Sequence, residues 1–172
     1  LVNADLLIIL SDIDGLYDDN PRENPEAKRT ILVLAGHGRG WTLSEDSKGD
    51  TRAILLDNDT QTSMSMNTVV NGVKSAGNVD VIYADACLMG MYETLYGYAD
   101  CAKYLLASME MTPEQGGDYT KFINLLKEAG TTDEGMVKAM QQYCDYSVGG
   151  EWWLTGICSD LGLYDLSKLG LV

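Results

Sequence analysis

Two short apolar runs constrain the fold of this 172-residue chain most strongly. The first, residues 30–35, is uninterrupted, as in a strand that is covered on both faces. The second, residues 79–84, has the composition of another buried strand. His37, the one histidine of the chain, follows the first run, and Cys87 follows the second, fifty residues later. Two parallel strands would bring both groups to one edge of a sheet, where a thiol and an imidazole can act together.

The rest of the chain alternates between strand and helix patterns. Strands are predicted at 4–10, 54–56, 103–107 and 153–157, and helices at 65–76, 119–129 and 133–147, with helical spacing also from Leu88 to Tyr96 and a helix start at 165–169. This alternation predicts βαβ units and an α/β fold with a mostly parallel sheet and helices on both faces. Ligands of such sheets bind outside the carboxyl ends of the strands, where His37 and Cys87 are expected.

Composition excludes several classes of protein. The net charge of −14 disfavours nucleic acid and anionic membranes as partners, and no apolar run approaches the roughly 20 residues of a membrane span. One histidine and four cysteines without a Cys-x-x-Cys pair make a structural zinc site improbable. Two disulfides remain open on count alone, although Cys101, Cys144 and Cys158 read as small core residues. The length suits one α/β domain.

Cys87 and His37 have the residue types of a nucleophile and its base. A cysteine attacks a carbonyl as the thiolate, and an imidazole is the usual group that accepts and returns the thiol proton. A helix following Cys87 would favour the thiolate through its dipole, and Gly38 could direct its N–H at a developing oxyanion. The alternative is that Cys87 is a buried small hydrophobe and His37 a hydrogen-bonded loop residue.

Longer motifs around these two residues resemble the clostripain family of cysteine peptidases, which shares the caspase-like fold. The most specific is the run Asp85-Ala-Cys-Leu-Met-Gly-Met-Tyr-Glu93, and His37-Gly38 is a weaker signal. The spacing of the histidine and the Ala-Cys pair also agrees with the caspase signature. Further similar stretches lie at 106–113, 116–119 and 163–167, so the resemblance covers about residues 30–172.

The resemblance implies a Cys/His dyad that cleaves peptides after arginine or lysine. Cys87 would form the acyl-enzyme, His37 would orient or protonate, and the N–H groups of Gly38 and Cys87 would form the oxyanion hole. Asp85 matches the acidic residue at the base of the specificity pocket, and a carboxylate there could pair bidentately with arginine. Asp118 is a weaker candidate for the same pocket. The alternative roles are a strand-end residue bonded to backbone for Asp85 and a helix cap for Asp118.

Some features depart from the family or remain open. Ser108-Met109-Glu110 stands where the family often has Ser-Glu-Glu, and Gly116-Gly117 where it often has Gly-Trp.

The chemistry needs no cofactor, but some members depend on calcium, which the acidic segments 45–50 and 57–59 could hold. Some members mature by self-cleavage, for which Lys48 and Arg52 are candidates. The family also implies a secreted or periplasmic protein, although residues 1–29 lack the basic n-region of a secretory signal.

Residues 1–29 do not resemble that family. Residues 4–17 and 19–27 are similar to the nucleotide-binding strand and loop of amino-acid kinases, and of glutamate 5-kinase in particular. The resemblance implies that Ser11 and Asp12 lie near the nucleotide. We predict a kinase-like segment at 1–29, a fusion or an artefact, joined to a peptidase domain at 30–172 that is truncated at its C-terminus. Three hypotheses follow: a cysteine endopeptidase, a catalytically inactive scaffold that binds basic peptides through Asp85, and a kinase fragment that binds nucleotide. The oligomeric state is left open.

Overall fold

A computed structural model describes residues 6–11, 29–40, 53–57, 62–113, 115–129, 132–149 and 160–170. In chain order its elements are β1 (Leu6–Ser11), β2 (Thr30–Ala35), β3 (His37–Gly38), β4 (Ala53–Asp57), β5 (Thr62–Ser65), α1 (Met66–Ala76), β6 (Val79–Asp85), α2 (Tyr92–Tyr98), β7 (Ala102–Ala107), α3 (Tyr119–Ala129), α4 (Asp133–Gly149), β8 (Gly162–Asp165) and a 3₁₀ turn at Leu166–Lys168.

The main sheet has five strands in the order β1-β2-β6-β7-β8. The three central strands are parallel, as the apolar runs predict, and the two edge strands are antiparallel. The register pairs Ala35 at the end of β2 with Asp85 at the end of β6. The residues that follow these two strands therefore leave the sheet side by side at its carboxyl edge.

Helices cover both faces of this sheet, which confirms the predicted α/β architecture. Side chains of the central strands alternate between two buried clusters. One cluster packs against α1, α2 and the 3₁₀ turn, and the other packs against α3 and α4. Because both faces are covered, the central strands are apolar almost throughout, which is why their sequences show no polar alternation.

The helix boundaries follow local capping chemistry. Ser65 caps α1 by accepting a hydrogen bond from the Thr68 amide at 3.1 Å, and Gly77 ends the helix in the left-handed conformation. Asp118 precedes α3 and accepts from the Lys121 amide at 2.9 Å. The sequence predicts each of these three positions, because short polar side chains accept hydrogen bonds from free amides at helix starts and glycine adopts the left-handed conformation at helix ends.

A smaller antiparallel sheet of three strands, β3-β4-β5, begins directly after β2. His37 pairs with Leu56, and Gly38 pairs with Ile54 across an irregular register. The sequence predicts β4 but neither β3 nor β5. This small sheet holds the backbone of His37 and Gly38 beside the carboxyl edge of the main sheet.

The structure differs from the sequence-based predictions in several local features. The helix predicted to start at 165–169 is a single 3₁₀ turn, Leu166–Lys168, which Asp165 caps, and strand β8 directly before it was not predicted. Helical spacing from Leu88 does not give a helix there: a turn intervenes and α2 begins only at Tyr92. Tyr92 and Tyr96 are exposed, at 57% and 65%, and stack on each other. Cys144 is half-buried rather than in the core, whereas Cys101 is fully buried.

Several sequence predictions fall outside the described residues. They are the strand at 153–157, Cys158, the candidate self-cleavage residues Lys48 and Arg52, Asp12 of the kinase-like segment, and most of the two acidic segments proposed for calcium. Within the described ranges no helix is long and apolar enough to cross a membrane.

Candidate active site

Cys87 lies in a tight turn directly after β6. The turn is fastened to the segment after β7 by two backbone hydrogen bonds, from the Leu88 amide to the Glu110 carbonyl at 3.0 Å and from the Gly90 amide to the Ser108 carbonyl at 2.7 Å. Leu88 has a φ of +64°, a left-handed conformation that a leucine rarely adopts. Such strain persists only where the surroundings fix the backbone, and it is often found at functional sites.

The backbone of His37 and Gly38 lies against the backbone of Cys87. The Gly36 amide donates to the Asp85 carbonyl at 3.2 Å, which extends the pairing of β2 and β6 past the ends of both strands. A Cβ on Gly38 would lie 2.5 Å from the Cys87 carbonyl oxygen and 3.2 Å from its nitrogen. Only glycine fits at that distance, so the close approach explains why position 38 has no side chain.

The Cys87 sulfur is half-buried and contacts Thr112. The Thr112 amide donates to the sulfur at 3.3 Å, and the Thr112 hydroxyl oxygen lies 3.5 Å from it. His37 is exposed. Cys87 therefore lies close to two stretches of chain: its backbone to Gly38, and its sulfur to Thr112.

Asp85 is buried in a pocket beside this thiol. Its side chain accepts hydrogen bonds from the Gly117 amide at 2.8 Å and from the Tyr119 hydroxyl at 2.5 Å, both on Oδ2. Asp85 is 7% exposed, and Thr112, the residue in contact with the Cys87 sulfur, also lines the pocket. The buried carboxylate thus comes two residues before the thiol in the chain, and Thr112 connects the pocket with the Cys87 sulfur.

Tyrosines pack beneath the pocket. Tyr83 and Tyr143 approach each other at 3.3 Å between their hydroxyls, and a Cβ on Gly117 would lie 2.3 Å from one and 2.5 Å from the other. Burial is the main cause that raises the pKa of Tyr143, to about 12, and it raises the pKa of Tyr83 and Tyr119 as well. These tyrosines stay neutral at physiological pH, so Asp85 is surrounded by hydroxyl groups and backbone amides.

Asp118 lies on the rim of the same pocket. The Lys121 amide donates to its Oδ1 and the Tyr146 hydroxyl to its Oδ2, each at 2.9 Å. The amide hydrogen bond from Lys121, followed by that from Tyr146, holds the pKa of Asp118 below its ordinary value. Asp118 therefore caps α3 and also lines the pocket, so the two roles that the sequence left as alternatives are compatible.

Asp160 also lines the pocket and was not predicted from the sequence. It accepts hydrogen bonds from the Ser108 hydroxyl and from the amides of Met109 and Glu110, at 2.6, 3.3 and 3.0 Å. Its partners are about fifty residues away in the chain, so no local motif indicates them. Three carboxylates thus line one pocket, and both oxygens of Asp160 are taken up by donors of residues 108–110.

The described residues bring together the turn with Cys87, the His37–Gly38 backbone, Asp85 and Asp118. Among these residues no group of three or more histidine, cysteine or acidic side chains is arranged to hold a metal ion. The structure therefore places a thiol, the backbone of residues 37 and 38 and a carboxylate-lined pocket next to one another, and the side chain of His37 is exposed.

Two kinds of relative match this chain. Glutamate 5-kinase 2 of Bacillus subtilis is 76% identical over 33 residues, which are 19% of this chain and 9% of the kinase. Glutamate 5-kinase 1 of the same organism is 72% identical over 75 residues, 41% of this chain and 20% of the kinase. These matches confirm the resemblance to glutamate 5-kinase. Because the chain spans a fifth of those kinases or less, kinase activity does not follow from it.

Peptidases also match this chain. Clostripain of Hathewaya histolytica is 29% identical over 128 residues, which cover 68% of this chain and 24% of clostripain. A secreted C11 cysteine protease from Bacteroides thetaiotaomicron has the same fold, with a TM-score of 0.59 and 19% identity over 81% of this chain and 40% of that one. A clostripain from Bacteroides thetaiotaomicron ATCC 29148 gives a TM-score of 0.53 and 23% identity over 66% of this chain and 48% of that one.

This chain spans less than half of each of these peptidases. The sequence model of the clostripain family matches residues 19–172, beginning before the boundary at residue 30 that the motifs suggest. The match includes all of the described site residues. The chain belongs to the clostripain family of cysteine peptidases.

Proposed function

We propose that this chain is the catalytic part of a cysteine endopeptidase that cleaves after arginine or lysine. The observation that carries the proposal is the position of Asp85, a buried carboxylate two residues before Cys87, in a pocket that Thr112 shares with the thiol. A substrate side chain that reaches Asp85 would hold its own carbonyl group near Cys87. Arginine and lysine are the side chains long enough and suitably charged to do so.

In the proposed reaction the Cys87 thiolate attacks the carbonyl carbon of the scissile peptide bond. The resulting oxyanion accepts hydrogen bonds from the amides of Gly38 and Cys87, a role supported by the close approach of Gly38 to the Cys87 backbone. His37, which holds the proton that the Cys87 thiol lost, delivers it to the leaving amine, the C–N bond breaks, and an acyl-enzyme remains on Cys87. Water then attacks the thioester, releases the new carboxylate and returns the thiol.

The pocket and one relative support a substrate with a cationic residue directly before the cleaved bond, the P1 position. The clostripain from Bacteroides thetaiotaomicron ATCC 29148 was solved with the peptide inhibitor BTN-VLTK-AOMK, in which the peptide part ends in lysine. In this chain, Asp85 has the charge that pairs with such a group. A charge-assisted hydrogen bond contributes about 1.5–3 kcal/mol, so a cationic side chain should be preferred over a neutral one by roughly 10- to 150-fold.

The test uses two covalent peptide chloromethyl ketones that differ at one residue. One carries arginine and the other citrulline, which has nearly the same shape and no charge. We expect the arginine reagent to label Cys87 faster, no labelling in Cys87→Ala, and loss of the preference in Asp85→Asn. Asp118→Asn is the matched control, because that carboxylate is half-exposed and should contribute less.

Two results would argue against the proposal. Well-folded protein that the arginine reagent does not label at Cys87 would exclude the peptidase. The inactive scaffold would then remain, and it predicts binding of basic peptides that survives Cys87→Ala and is lost in Asp85→Asn. Equal labelling by both reagents would remove Asp85 as the specificity residue and leave the nucleophile in place.

A further inference from the structure

The carboxylate of Asp160 holds a segment of backbone rather than facing open solvent. Pairing of β7 with β8 ends at Ala107 and Gly162, and the same register places Asp160 opposite Met109. From there Asp160 accepts three hydrogen bonds, two on Oδ1 and one on Oδ2. One donor is the hydroxyl of Ser108, a side chain with 0% exposure. Beyond the last residue pair of β7 and β8, the side chain of Asp160 therefore binds the segment that follows β7.

The segment that Asp160 holds is the one that contacts the Cys87 turn. Alternate residues of 108–112 make those contacts: Ser108 accepts from the Gly90 amide, Glu110 accepts from the Leu88 amide, and Thr112 donates to the Cys87 sulfur. A Cβ on Gly90 would lie 2.9 Å from the Met109 side chain and 3.0 Å from its nitrogen, so the two stretches are in close contact. Any shift of the segment is therefore transmitted to the turn.

The turn needs such support because its backbone is strained. Leu88, directly after Cys87, has a φ of +64°. A residue other than glycine in that conformation costs roughly 1–2 kcal/mol, which neighbouring contacts must offset. The hydrogen bond from the Leu88 amide to Glu110 is one such contact, and the Glu110 amide is itself bound by Asp160.

We propose that Asp160 is a positioning residue that fixes segment 108–112 against the Cys87 turn and so sets the rate at which the thiol reacts. Asp160 lines the pocket together with Asp85. Its two oxygens are occupied by donors of the segment, so its main effect is on the geometry of Cys87 and not on the affinity for a basic side chain. The kinetic consequence depends on the peptidase function proposed above, whereas the structural consequence does not.

The test combines two readouts on Asp160→Asn. The first is amide hydrogen exchange at Leu88 and Gly90, which reports the contact of the turn with the segment without any catalysis. We expect exchange at both amides to be about tenfold faster or more. The second is labelling by the arginine chloromethyl ketone, where kinact should fall roughly 10- to 100-fold while KI changes less than about twofold.

Two further variants complete the experiment. Ser108→Ala removes one of the three hydrogen bonds to Asp160, so it should show the same changes in exchange and kinact at smaller amplitude. It replaces Asp160→Asn as the test if that variant does not fold. Asp165→Asn is the matched control, because it removes a carboxylate near the other end of β8 that binds Ser167. It should leave the exchange of Leu88 and Gly90 and the kinact unchanged.

The outcomes separate the two proposals. Unchanged exchange at Leu88 and Gly90 in Asp160→Asn and Ser108→Ala would overturn the positioning role. A rise in KI for the arginine reagent with unchanged kinact would also overturn it, and would make Asp160 a specificity residue. If the wild type is not labelled at Cys87, the peptidase proposal fails, and the exchange data still decide the role of Asp160.

Discussion

Replacing Gly38 with alanine tests whether the contact between the His37–Gly38 backbone and Cys87 forms the site. The new Cβ would lie 2.5 Å from the Cys87 carbonyl oxygen and 2.9 Å from the Ala86 Cβ. Carbon contacts are normally about 3.5 Å or longer, so one of the two backbones must move by roughly 1 Å. Ala86 is fully buried and cannot yield outward, so the Cys87 turn is expected to move.

Both stability and reactivity should fall. Overpacking of this kind costs about 1–3 kcal/mol of unfolding free energy. A misplacement of about 1 Å at a reacting group can lower the rate about 100-fold. We therefore expect Gly38→Ala to lower the urea midpoint and to slow labelling of Cys87 by the arginine chloromethyl ketone to that extent.

Gly72→Ala is the matched control. Gly72 lies on the exposed face of α1, and a Cβ there meets nothing within 4 Å. Alanine is a better helix former than glycine, so this variant should gain about 0.5–1 kcal/mol of stability with no change in labelling. If Gly38→Ala kept the wild-type urea midpoint and labelling rate, the contact between the two backbones would not be part of the site.

Three further predictions concern other parts of the molecule. Burial raises the pKa of Cys101 and Cys144 to about 11, so iodoacetamide at pH 8 should leave both unmodified when Cys87 has fully reacted, as mass spectrometry of peptides would show; equal rates would contradict this. The hydrogen bond from Lys103 lowers the pKa of Asp133, so its stabilisation is present above about pH 4 and lost below it. The difference in urea midpoint between wild type and Asp133→Asn should therefore shrink as the pH falls from 5 to about 3, and a constant difference would refute the linkage. Removal of residues 1–28 takes away β1 and leaves β2 as a sheet edge, so the urea midpoint should drop and light scattering should show association, whereas an unchanged protein would mean that the kinase-like segment contributes nothing to the fold.

Features that depend on neighbours in the chain were predictable. The continuous apolar runs of β2 and β6 indicate buried parallel strands, and His37 and Cys87 follow their ends in the sequence as in the structure. Ser65 and Asp118 lie where helix caps were predicted, because a cap bonds an amide only three residues away. The placement of Asp85 next to Cys87 also needs no tertiary information.

Features that depend on distant contacts were not predictable. β1 pairs antiparallel with β2 at the edge of the sheet, although its apolar composition gives neither direction nor partner. β8 forms because residues 162–165 pair with the edge of β7, a distant contact that the local sequence does not indicate. The exposed stack of Tyr92 and Tyr96 likewise reflects which face of α2 the core leaves uncovered.

By itself, the sequence determined the residue types of the site and the strands that carry them, because strand burial and helix capping are local properties. The tertiary structure alone added Asp160 to the pocket predicted for Asp85 and Asp118, and it alone decided that Thr112 contacts the Cys87 sulfur. Asp160 shows the reason most clearly. Its partner Ser108 lies 52 residues away, and only the pairing of β7 with β8 brings the two side chains together.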